Sequence, residues 1–256
     1  MNSKPRSRGE QYSPDFRICS YNIHKGLGFA NRRFRLDDMR NAIRSVDADI
    51  CFLQEVVGHQ LAYAGEVHTG TESQFEYLAD QTWSHYAYGK NAIADVGHHG
   101  NAILSKVPFV EWQNHDVSRW SFSSRGLLYG RLDNGIHLVC VHLGLLVAER
   151  RYQVERLQHL LDTQCGPGEP VIVAGDFNDW RMQSDKFMSG ELGFSEVMTE
   201  QQGQPARTFP AMLPLVRVDR IYFRGLQLKD ASVLRGGVWR RLSDHAALIA
   251  SFHLPE

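Results

Sequence analysis

The chain has 256 residues, 43% of them hydrophobic, and its 28 basic and 29 acidic residues leave a net charge of −1. A chain of this size has room for one large hydrophobic core, or at most two small ones. The near-neutral charge lacks the basic excess typical of nucleic-acid-binding proteins, and such a role would require a local basic groove.

No stretch of the sequence is typical of a membrane span or of a secretion signal. A membrane-spanning helix needs roughly 18 apolar residues, and no window approaches that length. A signal peptide would show a charged start followed by an apolar run, which the N-terminus lacks. We therefore expect a cytoplasmic protein without a transmembrane segment, and a peripheral role at a membrane stays open.

The composition of residues 1–14 differs from that of the rest of the chain. They are polar, basic and proline-containing, which predicts a disordered leader. Residues 15–256 contain no linker-like stretch and no repeat of fixed period, so they are predicted to form one domain. The cysteines show no CxxC spacing that would favour a zinc or thioredoxin-type site, and we expect them to be reduced. They are Cys19, Cys51, Cys140 and Cys165.

Short apolar runs predict eight strands and two helices. The strands cover residues 16–22, 50–54, 100–104, 126–132, 136–142, 171–175, 217–223 and 246–252. One helix is predicted over residues 35–46, where apolar residues recur at helical spacing behind two acids in the first turn. The other is predicted over residues 148–161, ahead of a Gly-Pro stop signal. Strands that outnumber helices indicate an α/β fold with mixed sheets.

Polar side chains stand where the apolar runs end. These positions are Asn22, Glu55, His142, Asp176 and Asp219, and the group Ser243-Asp244-His245 precedes the last strand. Because the ends of neighbouring strands lie side by side, and loops there commonly carry function, we expect these side chains to form one site.

Two of these groups have an ordinary structural explanation beside the functional one. Asp176 and Asn178 follow a buried strand and would face the same side if the chain stays extended, but Gly, Asp and Asn are also common turn residues. The imidazole of His245 has the pKa range of a general base, and Asp219 would orient it, as in a catalytic triad. The alternative for Asp244 and His245 is the polar start of an exposed strand.

Glu55 ends an apolar strand, where a carboxylate is costly to bury without a partner. Mg²⁺ is a natural partner because it takes oxygen ligands and is often held by one or two carboxylates. Mn²⁺ would also suit an oxygen-rich site, whereas no His/Cys cluster favours zinc. A salt bridge to a nearby arginine is the alternative.

Seven short motifs occur in order between residues 16 and 252. They are Ser20-Tyr21-Asn22-Ile23, Leu53-Gln54-Glu55-Val56, Gly100-Asn101-Ala102-Ile103-Leu104-Ser105, Val141-His142-Leu143, Gly175-Asp176-Phe177-Asn178, Val218-Asp219-Arg220-Ile221 and Ser243-Asp244-His245. Together they resemble the endonuclease/exonuclease/phosphatase superfamily, which includes deoxyribonucleases, exonuclease III-like repair enzymes, neutral sphingomyelinases and inositol-polyphosphate 5-phosphatases. One motif would be a weak signal, whereas the ordered set is specific, and the likeness is greatest to a bacterial cytoplasmic branch.

The resemblance implies a fold and a metal site. The fold is α/β, a four-layer sandwich of two mostly antiparallel mixed β-sheets packed face to face with helices outside, as in deoxyribonuclease I, and the site lies at one edge. The resemblance makes Glu55 the principal metal ligand, with Asn22 beside it and Asp244 ligating the same ion or a second one. It makes His245 the group that activates the attacking water or contacts the phosphate, held by Asp219.

Further residues are implied to act on the water or the phosphate. Asp176 and Asn178 would orient the water and bind phosphoryl oxygens, and His142 would stabilise the phosphate or the leaving group. Arg125 matches a position where some family members hold an arginine near the phosphate.

Three more residues are candidates for substrate contacts: His24, Asn101 and Trp180. Asn101 begins a strand and would point into the site. His24 is equally well explained as part of a solvated loop. Trp180 would stack on a sugar, base or headgroup, or cover the edge of the core.

The sequence predicts an Mg²⁺-dependent phosphoesterase that cleaves a phosphodiester with an activated water. A nuclease would need a basic groove with stacking aromatic residues. A phospholipid-headgroup enzyme would need an exposed apolar hairpin, for which residues 112–122 are the best candidate. A phosphomonoesterase on a soluble ester needs neither, and a non-enzymatic phosphate-binding protein on the same fold is the other alternative. No stable protein partner is evident.

Overall fold

Two six-stranded β-sheets form the middle of the protein, as its computed structural model shows. The structure describes residues 12–28, 35–60, 73–94 and 97–255. The strands are β1 (Asp15–Asn22), β2 (Ile50–Gln60), β3 (His85–Ala94), β4 (Gly97–Ser105), β5 (Phe109–Asp116), β6 (Gly126–Leu132), β7 (His137–His142), β8 (Val171–Asp176), β9 (Ser195–Glu196), β10 (Asp219–Arg224), β11 (Gln227–Leu234) and β12 (Ala247–His253). Their order is β11-β12-β1-β2-β4-β3 in the first sheet and β5-β6-β7-β8-β10-β9 in the second.

The helices of the described residues are fewer than the strands and lie outside the sheets. They are α1 (Leu36–Ser45), α2 (Gln74–Ala79), α3 (Val147–Gln164), α4 (Gln183–Gly190), α5 (Val197–Gln202) and α6 (Trp239–Leu242), with a 3-10 turn at His24–Gly26. The two helices predicted from the sequence correspond to α1 and α3. In α1 the buried Leu36, Met39 and Ile43 form the apolar face, and Asp37 and Asp38 occupy the first turn, as expected.

Apolar side chains cover both faces of each sheet. Along β1 and β2, Ile18 and Phe52 point into the core between the sheets, whereas their neighbours Cys19 and Leu53 face α1 and α2. In the second sheet, Ile172 lies in the core between the sheets, whereas the next residue, Val173, lies on the other face and packs against α3. This two-sided burial explains the continuous apolar runs in the central strands, and it confirms the predicted fold class of two mixed sheets with helices outside.

The eight predicted strands are all present, and seven of them have ends within three residues of the prediction. β2 continues six residues beyond its predicted end, so the prediction that Glu55 ends this strand is wrong and Glu55 lies inside it. The four strands that the sequence did not predict are β3, β5, β9 and β11, and these are the outermost strands of the two sheets. An edge strand is less completely buried, so its sequence carries more polar residues and a weaker apolar signal. In β5, for example, Val110 and Trp112 are about half exposed.

The predicted leader, residues 1–14, lies mostly outside the described residues, since the structure describes only residues 12, 13 and 14 of it. The carbonyl of Pro14 accepts a 2.8 Å hydrogen bond from the backbone amide of Leu254. The Tyr12 hydroxyl donates to Asp133 at 3.1 Å. These contacts attach residues 12–14 to the domain.

Replacing Ser73 with alanine is expected to lower the free energy of unfolding by about 1 kcal/mol, because Ser73 caps the short helix α2. Its Oγ accepts from the Glu76 amide at 3.3 Å, and its own amide donates to the Glu76 carboxylate at 3.0 Å. Urea unfolding measures the change. The exposed Ser84→Ala serves as the control, and an equal effect of both substitutions would contradict the capping role.

Candidate active site

The strand directions bring the predicted site residues to one edge of the sandwich. In the first sheet β1 ends at this edge, and the parallel β2 reaches it at Gln54, the partner of Asn22, before continuing to Gln60. β12 begins near this edge because it is antiparallel to β1. In the second sheet β7 and β8 end there and β10 begins there. Asp176 is therefore the register partner of both His142 and Asp219.

A buried cluster of Asp176, Asp219 and His245 lies at the centre of this edge. Nδ1 of His245 donates to Asp219, with distances of 2.9 and 3.2 Å to its two carboxylate oxygens. Nε2 of the same ring lies 3.8 Å from Oδ2 of Asp176. Among the described residues, these three form the group whose potential ligand atoms all lie within 4.8 Å of one another. Asp219 thus fixes the ring of His245 and leaves Nε2 directed into the site.

The charges of this cluster shift the pKa values of its members. Burial alone would lower the pKa of His245, but the carboxylates of Asp219, Asp176 and Asp244 outweigh burial and raise it to about 10. Burial, reinforced by the charge of Asp219, raises the pKa of Asp176, although His245 opposes this shift. The ligand-free cluster therefore favours an imidazolium between carboxylates.

The side chain of Asn22 links the two sheets at the site. Its Nδ2 donates to Asp176 of the second sheet at 3.2 Å and lies 3.4 Å from Oε1 of Glu55. Its Oδ1 accepts from the backbone amide of His24 at 3.0 Å. A single amide group thus connects a carboxylate of the first sheet with one of the second.

Glu55 owes its position to an irregularity in β2. The pairing of β2 with β4 shifts register between Leu53 and Val56, and Glu55 has a φ of 56°. A positive φ is uncommon for a residue with a side chain, and bulges of this kind redirect a side chain at functional sites. The bulge places the half-buried Glu55 against Asn22.

Asp244 lies next to the cluster and pairs with His24. Oδ1 of Asp244 is 3.2 Å from Nδ1 of His24. The preceding Ser243 donates from its Oγ to the carbonyl of Asn22 at 2.7 Å, which ties the start of β12 to the end of β1. The structure therefore brings His24 into the site through an acidic neighbour.

His142 and Asn178 flank Asp176. Nε2 of His142 lies 3.6 Å from Oδ2 of Asp176. Burial lowers the pKa of His142 to about 3; Asp176 opposes this shift and the charge of Arg125 adds to it, so the imidazole is neutral at pH 7. The backbone amide of Asn178 donates to Asp176 at 2.9 Å, and its Nδ2 donates to the Leu143 carbonyl at 2.9 Å. Asn178 thus orients the Asp176 carboxylate and joins β8 to the loop after β7.

Arg125 and Asn101 lie at the same edge. The half-buried Arg125 precedes β6, and its charge acts on both His142 and His99. Asn101 is fully buried and bridges the sheets, since its Nδ2 donates to the carbonyls of Gly126 and Cys140 at 3.1 and 3.2 Å. Its Oδ1 accepts no hydrogen bond within the described part of the protein. Asn101 therefore holds the sheets together beneath the site.

Trp180 extends from the loop after β8 and is 47% exposed. The guanidinium of Arg150 lies 5.5 Å from its ring centre. The structure does not place Trp180 in the buried cluster. It places the ring on the surface beside the start of α3, where an aromatic side chain is free to contact a substrate or a surface.

The sequence leaves the pair His98-His99 open between a second metal or substrate contact and an ordinary polar loop, and it favours the loop. Both residues in fact lie on β4. Burial lowers the pKa of His99, and the charges of Lys25, Glu55 and Arg125 act on it.

These features define a class of protein: a two-sheet sandwich with a buried Asp–His cluster where the sheets meet. The model of the endonuclease/exonuclease/phosphatase family matches residues 19–245, and the chain belongs to this family. Its members are hydrolases that act on phosphoester bonds and generally use divalent metal ions. The resemblance inferred from the seven motifs is confirmed.

The uncharacterized protein YbhP of Escherichia coli (strain K12) is 44% identical over 251 residues, which cover 96% of this chain and 98% of that protein. A solved endonuclease/exonuclease/phosphatase from Beutenbergia cavernae DSM 12333 superposes with a TM-score of 0.74 at 19% identity, covering 94% of this chain and 72% of that one. D. rerio TDP2 complexed with single strand DNA product has a TM-score of 0.68 at 20% identity, covering 93% and 99%. The solved structures support the shared fold.

Proposed function

We propose that the protein is a divalent-metal-dependent phosphodiesterase that attacks its substrate with an activated water. The observation that carries the proposal is the position of His245. Asp219 holds its Nδ1, while its Nε2 faces Asp176 at the place where Asn22 and Glu55 meet the second sheet. Family membership supports the same reaction class, as does the similarity to a TDP2 structure that contains a DNA product.

The donor atoms of the site fit a hard divalent cation. Glu55 and Asp244 offer carboxylate oxygens, Asn22 holds Glu55 in place, and Asp176 adds a buried acid nearby. Oxygen-rich sets of this kind suit Mg²⁺ and accept Mn²⁺. When bound, the ion would neutralise charge on the phosphoryl oxygens and act as a Lewis acid. We assign Glu55 as the principal ligand of the ion and Asp244 and Asn22 as its other protein ligands.

The remaining residues would bind the phosphate and move the proton. Oδ2 of Asp176 lies within 3.8 Å of ring nitrogens of both His245 and His142 and is therefore placed to accept the proton that the attacking water loses. Nε2 of His245 and the guanidinium of Arg125 would donate to nonbridging phosphoryl oxygens, where charge develops. The neutral His142 is placed to stabilise the phosphate or the leaving group.

The proposal predicts that bis(p-nitrophenyl) phosphate is hydrolysed with Mg²⁺ or Mn²⁺ and that EDTA abolishes the reaction. For Glu55→Gln, the Mg²⁺ concentration that gives half-maximal rate should rise by at least about 10–100-fold, the cost of disturbing even the outer partners of a metal ligand. Glu200→Gln, an exposed acid on α5, is the control.

Faster hydrolysis of p-nitrophenyl phosphate than of the diester would show that the protein is a phosphomonoesterase and not a phosphodiesterase. Absence of turnover on either ester, together with calorimetric binding of Mg²⁺ that Glu55→Gln weakens, would favour the non-enzymatic binding protein. Hydrolysis that EDTA leaves unaffected would contradict the metal dependence.

A further inference from the structure

Exposed apolar side chains are concentrated in the loops that surround the site. Eleven large hydrophobic side chains of the described residues are exposed, and three of these, Tyr86, Val110 and Trp112, lie on the edge strands β3 and β5. We call the other eight the apolar rim: Phe122, Leu145, Leu146, Val147, Trp180, Leu213, Leu215 and Val238. Two of them, Phe122 and Leu213, are 76% and 66% exposed. Side chains of this kind scatter singly over an ordinary surface, so their grouping in a few loops indicates a contact surface.

The strand order explains why distant parts of the chain share this rim. The strands β6, β7, β8 and β10 are consecutive neighbours in the second sheet. The loop before β6, the loop after β7, the loop after β8 and the segment before β10 all open at the edge where the catalytic cluster lies. These four segments carry seven rim residues, and the segment before β12 carries the eighth.

Contacts between these loops make the rim continuous over two stretches. Arg119 donates to the Ala148 carbonyl at 2.7 Å, which joins the loop of Phe122 to the start of α3. Arg150 connects the start of α3 to Trp180. On the other side of the cluster, Arg240 donates to the Met212 carbonyl at 3.0 Å and joins the loop of Val238 to that of Leu213 and Leu215. The catalytic residues His142, Asp176, Asp219 and His245 come from the strands between these stretches.

The rim loops also carry an excess of positive charge. Six exposed arginines belong to them: Arg119, Arg181, Arg207, Arg235, Arg240 and Arg241. Arg119, Arg235 and Arg240 donate to backbone carbonyls, and within the described residues none of the six forms an ion pair with a carboxylate. The acids of the same segments are Glu149 and Asp179, which are buried, and Asp244, which is one-quarter exposed and pairs with His24. A chain with a net charge of −1 thus presents a cationic, apolar surface around its site.

We propose that this edge docks on a lipid bilayer that contains anionic phospholipid and so presents a headgroup phosphodiester to the site. The proposal rests on the phosphodiesterase function proposed above. Aliphatic side chains enter the boundary of the acyl chains, tryptophan favours the interface, and arginines near the surface are attracted by anionic lipid. The rim and its arginines have this composition.

The composition of the rim favours a membrane over a single-stranded nucleic acid. Proteins bind unpaired bases on aromatic side chains, which stack on the base faces. Six of the eight rim residues are leucine or valine, which offer no stacking surface. The segment 112–122, the best single hairpin in the sequence, does not form this surface alone, because Trp112 lies on the edge strand β5 opposite Gly130 and only Phe122 lies on the rim.

Sedimentation with vesicles tests the proposal without any need for turnover. The wild-type protein should bind phosphatidylglycerol/phosphatidylcholine vesicles more strongly than pure phosphatidylcholine vesicles. The fourfold variant Leu145→Ser/Leu146→Ser/Leu213→Ser/Leu215→Ser should bind at least about tenfold more weakly, because it removes most of the aliphatic surface. Val110→Ser/Trp112→Ser removes exposed apolar side chains away from the rim and should bind like the wild type. Because these side chains are about half exposed or more, each variant should still unfold cooperatively, with a thermal midpoint within several degrees of the wild type, which checks that it folds.

A second variant tests the charge. Arg240→Gln/Arg241→Gln should weaken binding to the anionic vesicles by about a few-fold for each arginine removed. The binding of this variant should also depend less on the salt concentration. Binding to neither kind of vesicle, or equal binding of the fourfold variant and the wild type, would overturn the proposal. So would binding of a single-stranded oligonucleotide in place of vesicles.

The outcomes for docking and for catalysis remain separable. If vesicle binding depends on the rim but no diester is hydrolysed, the proposed phosphodiesterase function is wrong and the proposed docking surface is supported. Hydrolysis of the soluble diester without vesicle binding would reject only the docking surface. When both hold, the rim variant should lose activity on phosphatidylglycerol vesicles to a greater extent than on bis(p-nitrophenyl) phosphate.

Discussion

His245→Ala is expected to lower kcat for bis(p-nitrophenyl) phosphate by about 10²–10³-fold, the range for removing one donor to charge that develops in the transition state. The imidazole is buried and held by Asp219, and its Nε2 is directed at the place where the phosphate would lie. The loss should fall mainly on kcat, because the interaction with the phosphoryl oxygens strengthens as charge develops in the transition state.

His253→Ala is the matched control for this variant. His253 ends the same strand, β12, at the opposite edge of the sheet, where its Nδ1 pairs with Asp15 on the surface. Its loss should leave kcat unchanged within about twofold, as expected for a surface substitution far from the site. Equal effects of the two substitutions, or an active His245→Ala enzyme, would remove His245 from the reaction.

Asp219→Asn separates positioning from catalysis. Asp219 stabilises the imidazolium form of His245, whose pKa in the metal-free protein is raised to about 10. Removing the carboxylate charge should lower that pKa, so the Cε1 proton of His245 should titrate at lower pH in an NMR experiment. A structural role alone would leave the titration unchanged. An unshifted titration would therefore contradict the assignment of Asp219 as a positioning residue.

Asp179→Ala is expected to lower the free energy of unfolding by about 3–5 kcal/mol, because it leaves buried arginines without their counter-charge. Asp179 and Arg220 are both fully buried, with 3.7 Å between Oδ2 of Asp179 and Nη1 of Arg220. Nη2 of Arg220 donates to the Asp179 carbonyl at 2.6 Å, and the nearly buried Arg150 lies 3.9 Å from the same carboxylate. The Ser184 amide, which donates to Asp179 at 2.6 Å, would also lose its acceptor.

Urea unfolding of wild type and variants measures this cost. The exposed Asp162→Ala on α3 should change stability by less than about 0.5 kcal/mol. Adding Arg220→Met to Asp179→Ala should restore part of the lost free energy of unfolding, because it removes a buried positive charge that no longer has a counter-charge. A loss below about 1 kcal/mol for Asp179→Ala would show that Arg220 and Arg150 do not depend on this carboxylate.

Asp179 and Trp180 directly follow the Gly175-Asp176-Phe177-Asn178 motif, yet the structure places their side chains differently. Asp176 and Asn178 lie at the cluster, Asp179 turns into the interior toward Arg220, and Trp180 reaches the surface. The sequence of this segment fits an ordinary turn as well as a site. The direction of the Asp179 carboxylate depends on partners from other segments, namely Arg220 on β10, Arg150 on α3 and the Ser184 amide.

The sequence by itself determined the central strands, the helices α1 and α3, and the strand ends at Asn22, His142 and Asp176. It could do so because burial on both faces forces continuous apolar runs, and a polar residue that interrupts such a run is conspicuous. It did not determine that β2 continues past Glu55. The ordered motifs added the family, and the fold followed from the family. Strand periodicity alone does not specify how two sheets pair.

The tertiary structure decided what depends on contacts between distant segments. The edge strands escaped prediction because exposure weakens their apolar pattern. The pair of His24 with Asp244 joins residues 220 positions apart, and the bulge at Glu55 depends on its pairing with β4. The apolar rim is assembled from five separate segments, each too short to stand out in the sequence. Such features arise only when strand order brings the segments to one edge, because no local pattern records which loops will be neighbours.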